Sequence, residues 1–188
     1  MTINKHTTVA EYMRIASLPA LSIDIDNEFI KRLPLPKTYC GVAVKVEGLT
    51  LGQIEDIEAA TKGDDGIIAP IKVLYGISTN RILRSKLFDM LAVLHNITEA
   101  VEQVNKAFAR IKANHTSEEI QAGVKRLNFG TFGVVDSYAR RMGIWDHDYV
   151  LNNVPALLIA RCMDIDHQIG EYQRRLNEIY SKKHNKKR

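Results

Sequence analysis

The chain is poor in the features that announce chemistry. Its 188 residues hold two cysteines, Cys40 and Cys162, too few for a disulfide framework and spaced unlike any zinc ligand set. Cys40 lies in the strand-like run TYCGVAVKV and Cys162 in a heptad series, so both thiols are expected to be buried and inert. Such sparing use of cysteine suits a reducing cytoplasm. No Gly-x-Ser-x-Gly elbow occurs, and no glycine loop leads into Lys-Ser or Lys-Thr. The glycine-flanked stretch KGDDG, 62–66, reads as a turn whose aspartates repel phosphate. No run of 18 apolar residues is present, so no membrane-spanning helix and no membrane partner are expected. The opening MTINKHTTVAEYMRIASLP lacks the apolar core of a secretory signal, which points to a protein made in the cytoplasm. These absences set the expectation of a non-enzyme, with no catalytic residue, no cofactor and no metal.

What is present is an ordinary globular composition, 45% apolar and 26% charged, far from that of a disordered chain. The net charge of +4 is placed unevenly. Five cations, Lys182, Lys183, Lys186, Lys187 and Arg188, fall in the last seven residues, and removing five from +4 leaves −1 for the rest. The basic character therefore belongs to a tail. That tail is either a solvated end or a contact for nucleic acid or an acidic partner.

Three regions follow from the patterning. Residues 1–46 read as an N-terminal extension. It comprises a short helix over 7–18 opened by Thr7 or Thr8, a strand over 21–30 where Leu21, Ile23 and Ile25 alternate with acids, and a second strand over 38–46. The two strands are expected to form a small hairpin or sheet. Residues 47–181 read as helical, and 182–188 as the basic tail. In the helical part Thr50 caps LGQIEDIEAAT with Gln53 at the capping-box position and Ile54 and Ile57 inward. A buried helix over 67–77 takes Pro70 in its first turn. The series Leu87, Leu91, Leu94, Ile97, Val101, Val104, Phe108 and Ile111 has one irregular step at His95-Asn96, so one long helix bends there or two helices meet. Thr116 or Ser117 caps a helix over SEEIQAGVKRL. The fold class is thus mainly α, a helical bundle with long heptad-patterned helices and a small N-terminal β element.

The last helix is expected near Pro155, capped by Asn152 or Asn153. Leu158, Cys162, Ile165, Ile169, Tyr172, Leu176 and Ile179 step alternately by four and three, a seam that packs on a partner helix of this chain or another. The opposite face is charged: Arg161, Asp164, Gln168, Glu171, Arg175 and Glu178.

Two chemical readings of 129–168 compete with packing. Ala139 and Gly143 stand four apart, as in a DNA-reading helix-turn-helix, and Tyr149 is tolerable at the next inward position. Asn152 is not apolar where the motif needs it, and DHDYVLN carries aspartates where phosphates would lie. Asp146, His147 and Asp148, and separately Asp164, Asp166, His167 and Glu171, include metal-ligand types, but the second row shares the charged face. Trp145 and Tyr149 sit in the acidic turn and either anchor it in the core, the favoured role for Trp145, or dock a partner.

VEGLTLGQIEDIEAAT followed by IIAPIKVLYGIS resembles the opening of small helical proteins of tailed-phage morphogenesis. FGTFGVVDSYARRMGI, then WDHDYVLNNVPALLIARCMDIDHQIGEYQRRLNEIYSKK, is similar to the end of tail-assembly-chaperone-like proteins. The resemblance covers residues 46–182. It implies no catalysis and an assembly factor or a component of the neck or tail, including rings around the portal in crAss-like phages. It also implies other phage neck and tail proteins, portal or tail subunits, as partners, a homo-oligomeric ring, and residence in the virion after synthesis in the host cytoplasm. Leu158, Ile165, Ile169, Tyr172 and Leu176 would carry the packing. A tail assembly chaperone absent from the finished particle and a nucleic-acid-binding regulator using the lysine tail remain as alternatives.

Overall fold

The computed structural model describes residues 3–16, 27–63, 66–111 and 115–185. It is mainly α-helical with one two-stranded antiparallel sheet. The chain divides into two compact units, 1–102 and 103–188.

In the first unit, α1 spans Val9–Ala16. Thr8 opens it reciprocally: the Glu11 N–H donates to Thr8 Oγ1 at 3.2 Å and the Glu11 carboxylate accepts the Thr8 N–H at 2.8 Å. That backbone donor holds the Glu11 carboxyl below its ordinary pKa. Most of the strand expected over 21–30 falls outside the described residues, and the described end of that range is helical. Residues 17–26 lie outside the described residues, and Asn27–Lys31 is a short helix, α2, with Lys31 Nζ 2.6 Å from Glu28 Oε1. An acid in the first turn and a cation three residues on favour helix there, where the alternation of 21–25 has ended.

The second expected strand is folded on itself. β1 (Thr38–Tyr39) and β2 (Val42–Ala43) pair with each other, Thr38 opposite Ala43 and Tyr39 opposite Val42. The two residues between them, Cys40 and Gly41, take φ of +47° and +76°. Positive φ at both central positions makes the tight hairpin turn whose twist matches its strands. Cys40 is therefore neither in a strand nor buried, as the sequence suggested, but half-buried in a turn. Arg81 secures that unusual backbone, its guanidinium donating to the Cys40 carbonyl while Cys40 Sγ donates to the Arg81 carbonyl at 3.6 Å.

α3 (Leu51–Thr61) has the expected capping box on Thr50 and Gln53, and Ile54 and Ile57 are buried. After Gly63 the chain re-enters through a 3-10 turn, Gly66–Ile68, into α4 (Ala69–Tyr75) with Pro70 in its first turn. Gly76, at φ +61°, closes it. α5 (Thr79–Arg84) follows, and α6 (Leu87–Ala109) is a single helix through His95-Asn96, where the Asn96 amide donates to the Ala92 carbonyl at 2.8 Å. Val9, Tyr39, Ile57, Ile71, Ile82, Leu87 and Ile97 share one core, so residues of the N-terminal 46 pack with the helices that follow.

In the second unit, α7 (Ser117–Gln121) carries a capping box on Thr116 and Glu119. It is shorter than the run SEEIQAGVKRL suggested, because Gly123 turns left-handed at φ +87° and a 3-10 turn, Val124–Arg126, succeeds it. α8 (Gly130–Met142) ends at Gly143, φ +67°, with Ile144 N–H reaching the Ala139 carbonyl at 2.9 Å, the double-bonded glycine stop. α9 spans His147–Asn153 and α10 spans Ala156–Asn185, a 30-residue helix. Asn152 and Asn153 do not cap α10: they end α9, where the Asn152 amide donates to the Asp148 carbonyl. Pro155 heads α10, its carbonyl accepting from Leu158 and Ile159. α8 packs on both α9 and α10, around buried Val135, Tyr138, Ala139, Val150, Val154, Ala156 and Ile159.

Candidate interaction surface of the second unit

α10 is long enough, about 45 Å at 1.5 Å per residue, to outrun what buries it. Its start is the buried part: Ala156, Ile159 and Ala160 are enclosed. Further along the seam Ile165, Ile169, Tyr172 and Ile179 stand exposed, Ile169 at 50% and Tyr172 at 60%, with Leu176 half-buried. Leu158 is exposed and Cys162, expected to be buried, is half-buried. Fully burying one such aliphatic side chain gains about 1.5–3 kcal/mol. Ile165, Ile169, Tyr172 and Ile179 stand along the helix at heptad spacing.

The polar residues beside the seam are largely occupied with their own helix or with α8. The Gln168 amide donates to Asp164 at 2.8 Å, Arg174 pairs with Glu171, and Arg175 Nε donates to the Glu171 carbonyl at 3.2 Å. Arg141 of α8 reaches Asp166 Oδ2 at 3.0 Å and also donates to the Cys162 carbonyl, fastening α8 to α10. Asp146 caps α9, accepting the Tyr149 N–H at 2.9 Å. Among the described residues no group of three His, Cys, Asp or Glu is placed to hold a metal ion.

A second exposed patch lies at the α8–α9 corner. The sequence favoured Trp145 as a core anchor, and the structure overturns that: its indole is 90% exposed. The left-handed Gly143 turns Ile144 partly inward instead, and Val150, one residue after exposed Tyr149, fills the inward position. Asp136 organises the corner. His147 Nε2 lies 3.1 Å from Asp136 Oδ1, Arg140 Nε lies 2.8 Å from Oδ2, and the Phe132 ring stacks on His147 with centroids 5.4 Å apart. The His147 hydrogen bond, then that of Arg140, holds the Asp136 carboxyl below its usual range. Trp145 borders an open cleft of about 470 Å³ with Asp136, Arg140, Ile144 and His147. The neighbouring exposure of Leu127, Phe129, Phe132 and Met142 was not singled out from the sequence; Phe129 and Phe132 in FGTFG, apolar yet set among glycines, were the available signal. α9 has seven residues and Asn152 on its exposed side, so it offers little reading surface for a DNA groove.

Lys182 and Lys183 are exposed in the last turns of α10, while Lys186, Lys187 and Arg188 lie outside the described residues. No described helix is long and apolar enough to cross a membrane. Comparison of the chain with protein-family models, with curated proteins and with solved structures finds no match.

Proposed function

We propose that this chain is a non-enzymatic assembly protein whose second unit works by having its exposed helical faces covered by partner subunits. The observation that carries the reading is the bare apolar seam of α10, Ile165, Ile169, Tyr172 and Ile179. Monomeric soluble proteins seldom leave a continuous row of this kind in water. Trp145 and Tyr149 offer a second, aromatic contact of the sort that dominates interfaces.

The setting we propose is the neck or tail of a tailed phage, as a homo-oligomer in contact with portal or tail subunits. The resemblance of residues 46–182 to proteins of phage morphogenesis supports it. The test is mass spectrometry of purified virions that encode the chain, alongside a virus carrying Ile169→Asp. A structural component is found in stoichiometric amount, and the variant fails to form complete particles. Absence from the virion with assembly still blocked by Ile169→Asp identifies an assembly chaperone instead. Normal particles from the variant overturn the reading.

The lysine-rich end supports a second reading as a nucleic-acid contact, since Lys182 and Lys183 are exposed. Salt-dependent DNA binding that disappears on removing 182–188 is its signature.

A further inference from the structure

The seam of α10 also specifies its partner. In heptad register Cys162, Ile169 and Leu176 take position a, and Leu158, Ile165, Tyr172 and Ile179 take position d. One flank, position e, then bears Asp166, Gln173 and Tyr180; the other, position g, bears Arg161, Gln168, Arg175 and Lys182. The g flank has three cations and no anion.

Those flanks discriminate between ways of pairing two copies. Antiparallel helices set g against g, and a crossing centred on Ile169 and Tyr172 brings Arg161 onto Lys182 twice and Gln168 onto Arg175. Parallel helices in register set g against the e position five residues on. Arg161 then faces Asp166, Gln168 faces Gln173, and the Arg175 guanidinium faces the Tyr180 ring. Lys182 closes the g flank at the far end of the seam. Arg161 is exposed with no ion-pair partner among the described residues, and Asp166, 53% exposed, uses only Oδ2 toward Arg141, which leaves Oδ1 for a second guanidinium. The seam residues set the number of strands. Isoleucine at both a (Ile169) and d (Ile165, Ile179), with leucine at a (Leu176), fits cores of three or four helices better than two.

We propose that Ile165–Ile179 is covered by the same stripe of further copies of this chain, in a parallel bundle of three or four α10 helices. The proposal rests on reading α10 as an assembly helix and names its occupant.

The full chain with Cys40→Ser and Ile179→Cys tests it. In the parallel bundle position 179 meets its own counterpart, so mild oxidation joins chains whether or not Cys162→Ser is added. In the antiparallel arrangement position 179 lies opposite 162, and the cross-link vanishes with Cys162→Ser. Light scattering of the unsubstituted chain is expected to give three or four chains. Ile169→Asp should return the mass to one chain while thermal melting still shows a folded body, because Ile169 is half-exposed. Any other mass for the unsubstituted chain, a cross-link that needs Cys162, or an unchanged mass in Ile169→Asp overturns the bundle. A monomer that still enters virions sinks the bundle and leaves the assembly role standing; a bundle found in no particle or assembly intermediate does the reverse.

Discussion

The two units use apolar side chains in opposite ways. In the first, Ile71, Ile77, Ile82, Leu87, Met90 and Ile97 are almost wholly enclosed, and among the described residues only Phe29, Leu35 and Ile67 are large, apolar and exposed. In the second, Val135, Tyr138, Val150, Val154 and Ile159 are buried beside Ala139, Ala156 and Ala160, while fourteen large apolar side chains among the described residues face water, from Ile120 to Tyr180. One unit encloses most of its large apolar side chains and the other leaves many of its own exposed.

The largest test of that contrast removes one aliphatic side chain from each unit. Ile71→Ala empties a fully buried position and should lower unfolding free energy by about 2–5 kcal/mol. Ile169→Ala, measured at a dilution where the chain is monomeric, should change it by about 0.5 kcal/mol or less. Chemical denaturation gives both. Equal losses would erase the distinction, since they would mean that α10 is already packed within its own chain.

How far this contrast could be read beforehand differs from element to element. The start at Thr50 was legible because it is local: its capping box with Gln53 needs only a hydroxyl and a side chain three residues apart, whereas at the next such start Thr116 and Ser117 both remained open and the box with Glu119 was not read. The α10 seam was equally plain, since heptad spacing survives in the sequence whatever covers it. Its exposure was not, because period alone does not say whether a stripe meets its own chain or another. Trp145 failed for a related reason. Large aromatics are usually enclosed, but here Gly143 sends Ile144 toward the core and Trp145 outward, and a one-residue rotation at a left-handed turn leaves no mark in composition. The hairpin at Cys40-Gly41 was hidden by a cysteine at positive φ, held there by Arg81 from 41 residues away. Tertiary partners of that kind, like Arg141 with Asp166, are invisible to any local pattern.

A smaller test uses the two capping boxes, which have the same hydrogen bonds in different surroundings. In each, the N3 backbone N–H lies 3.2 Å from the threonine hydroxyl. Thr50 is buried and Thr116 is exposed. Thr50→Ala orphans a backbone donor away from water and should cost about 1–2 kcal/mol, whereas water can replace the hydroxyl after Thr116→Ala, for about 0.5 kcal/mol. Thermal melts of the two variants rank them, and a larger loss at Thr116 would show the second unit to be the tighter one.

The smallest effects separate the units by pH. Burial pushes the Tyr39 phenol up to about 12, beyond what its hydrogen bond to Ser85 offsets. A raised acid favours the neutral form when folded. Its contribution is therefore complete below about pH 10, the ordinary tyrosine value, and fades as pH rises toward about 12. Tyr39→Phe should flatten that alkaline loss in the first unit. Asp136 works the other way. Its carboxyl is held low by His147 and then Arg140, so its contribution is complete above about pH 4, the ordinary carboxylate value, and is lost as pH falls through its lower folded value. His147 and Arg140 are the groups that face Asp136 at this partly exposed corner, and solvent screens both. Asp136→Asn should thus cost less than Thr50→Ala and show itself locally, as weaker protection of the α9 amides from exchange at neutral pH, relative to the intrinsic rate, that no longer falls further on acidification. If the protection of the α9 amides in the unsubstituted chain, corrected for the intrinsic rate, does not change with acid, the corner is held by Val150 and Tyr138 packing alone, and Asp136 contributes only to how Trp145 and its cleft are presented.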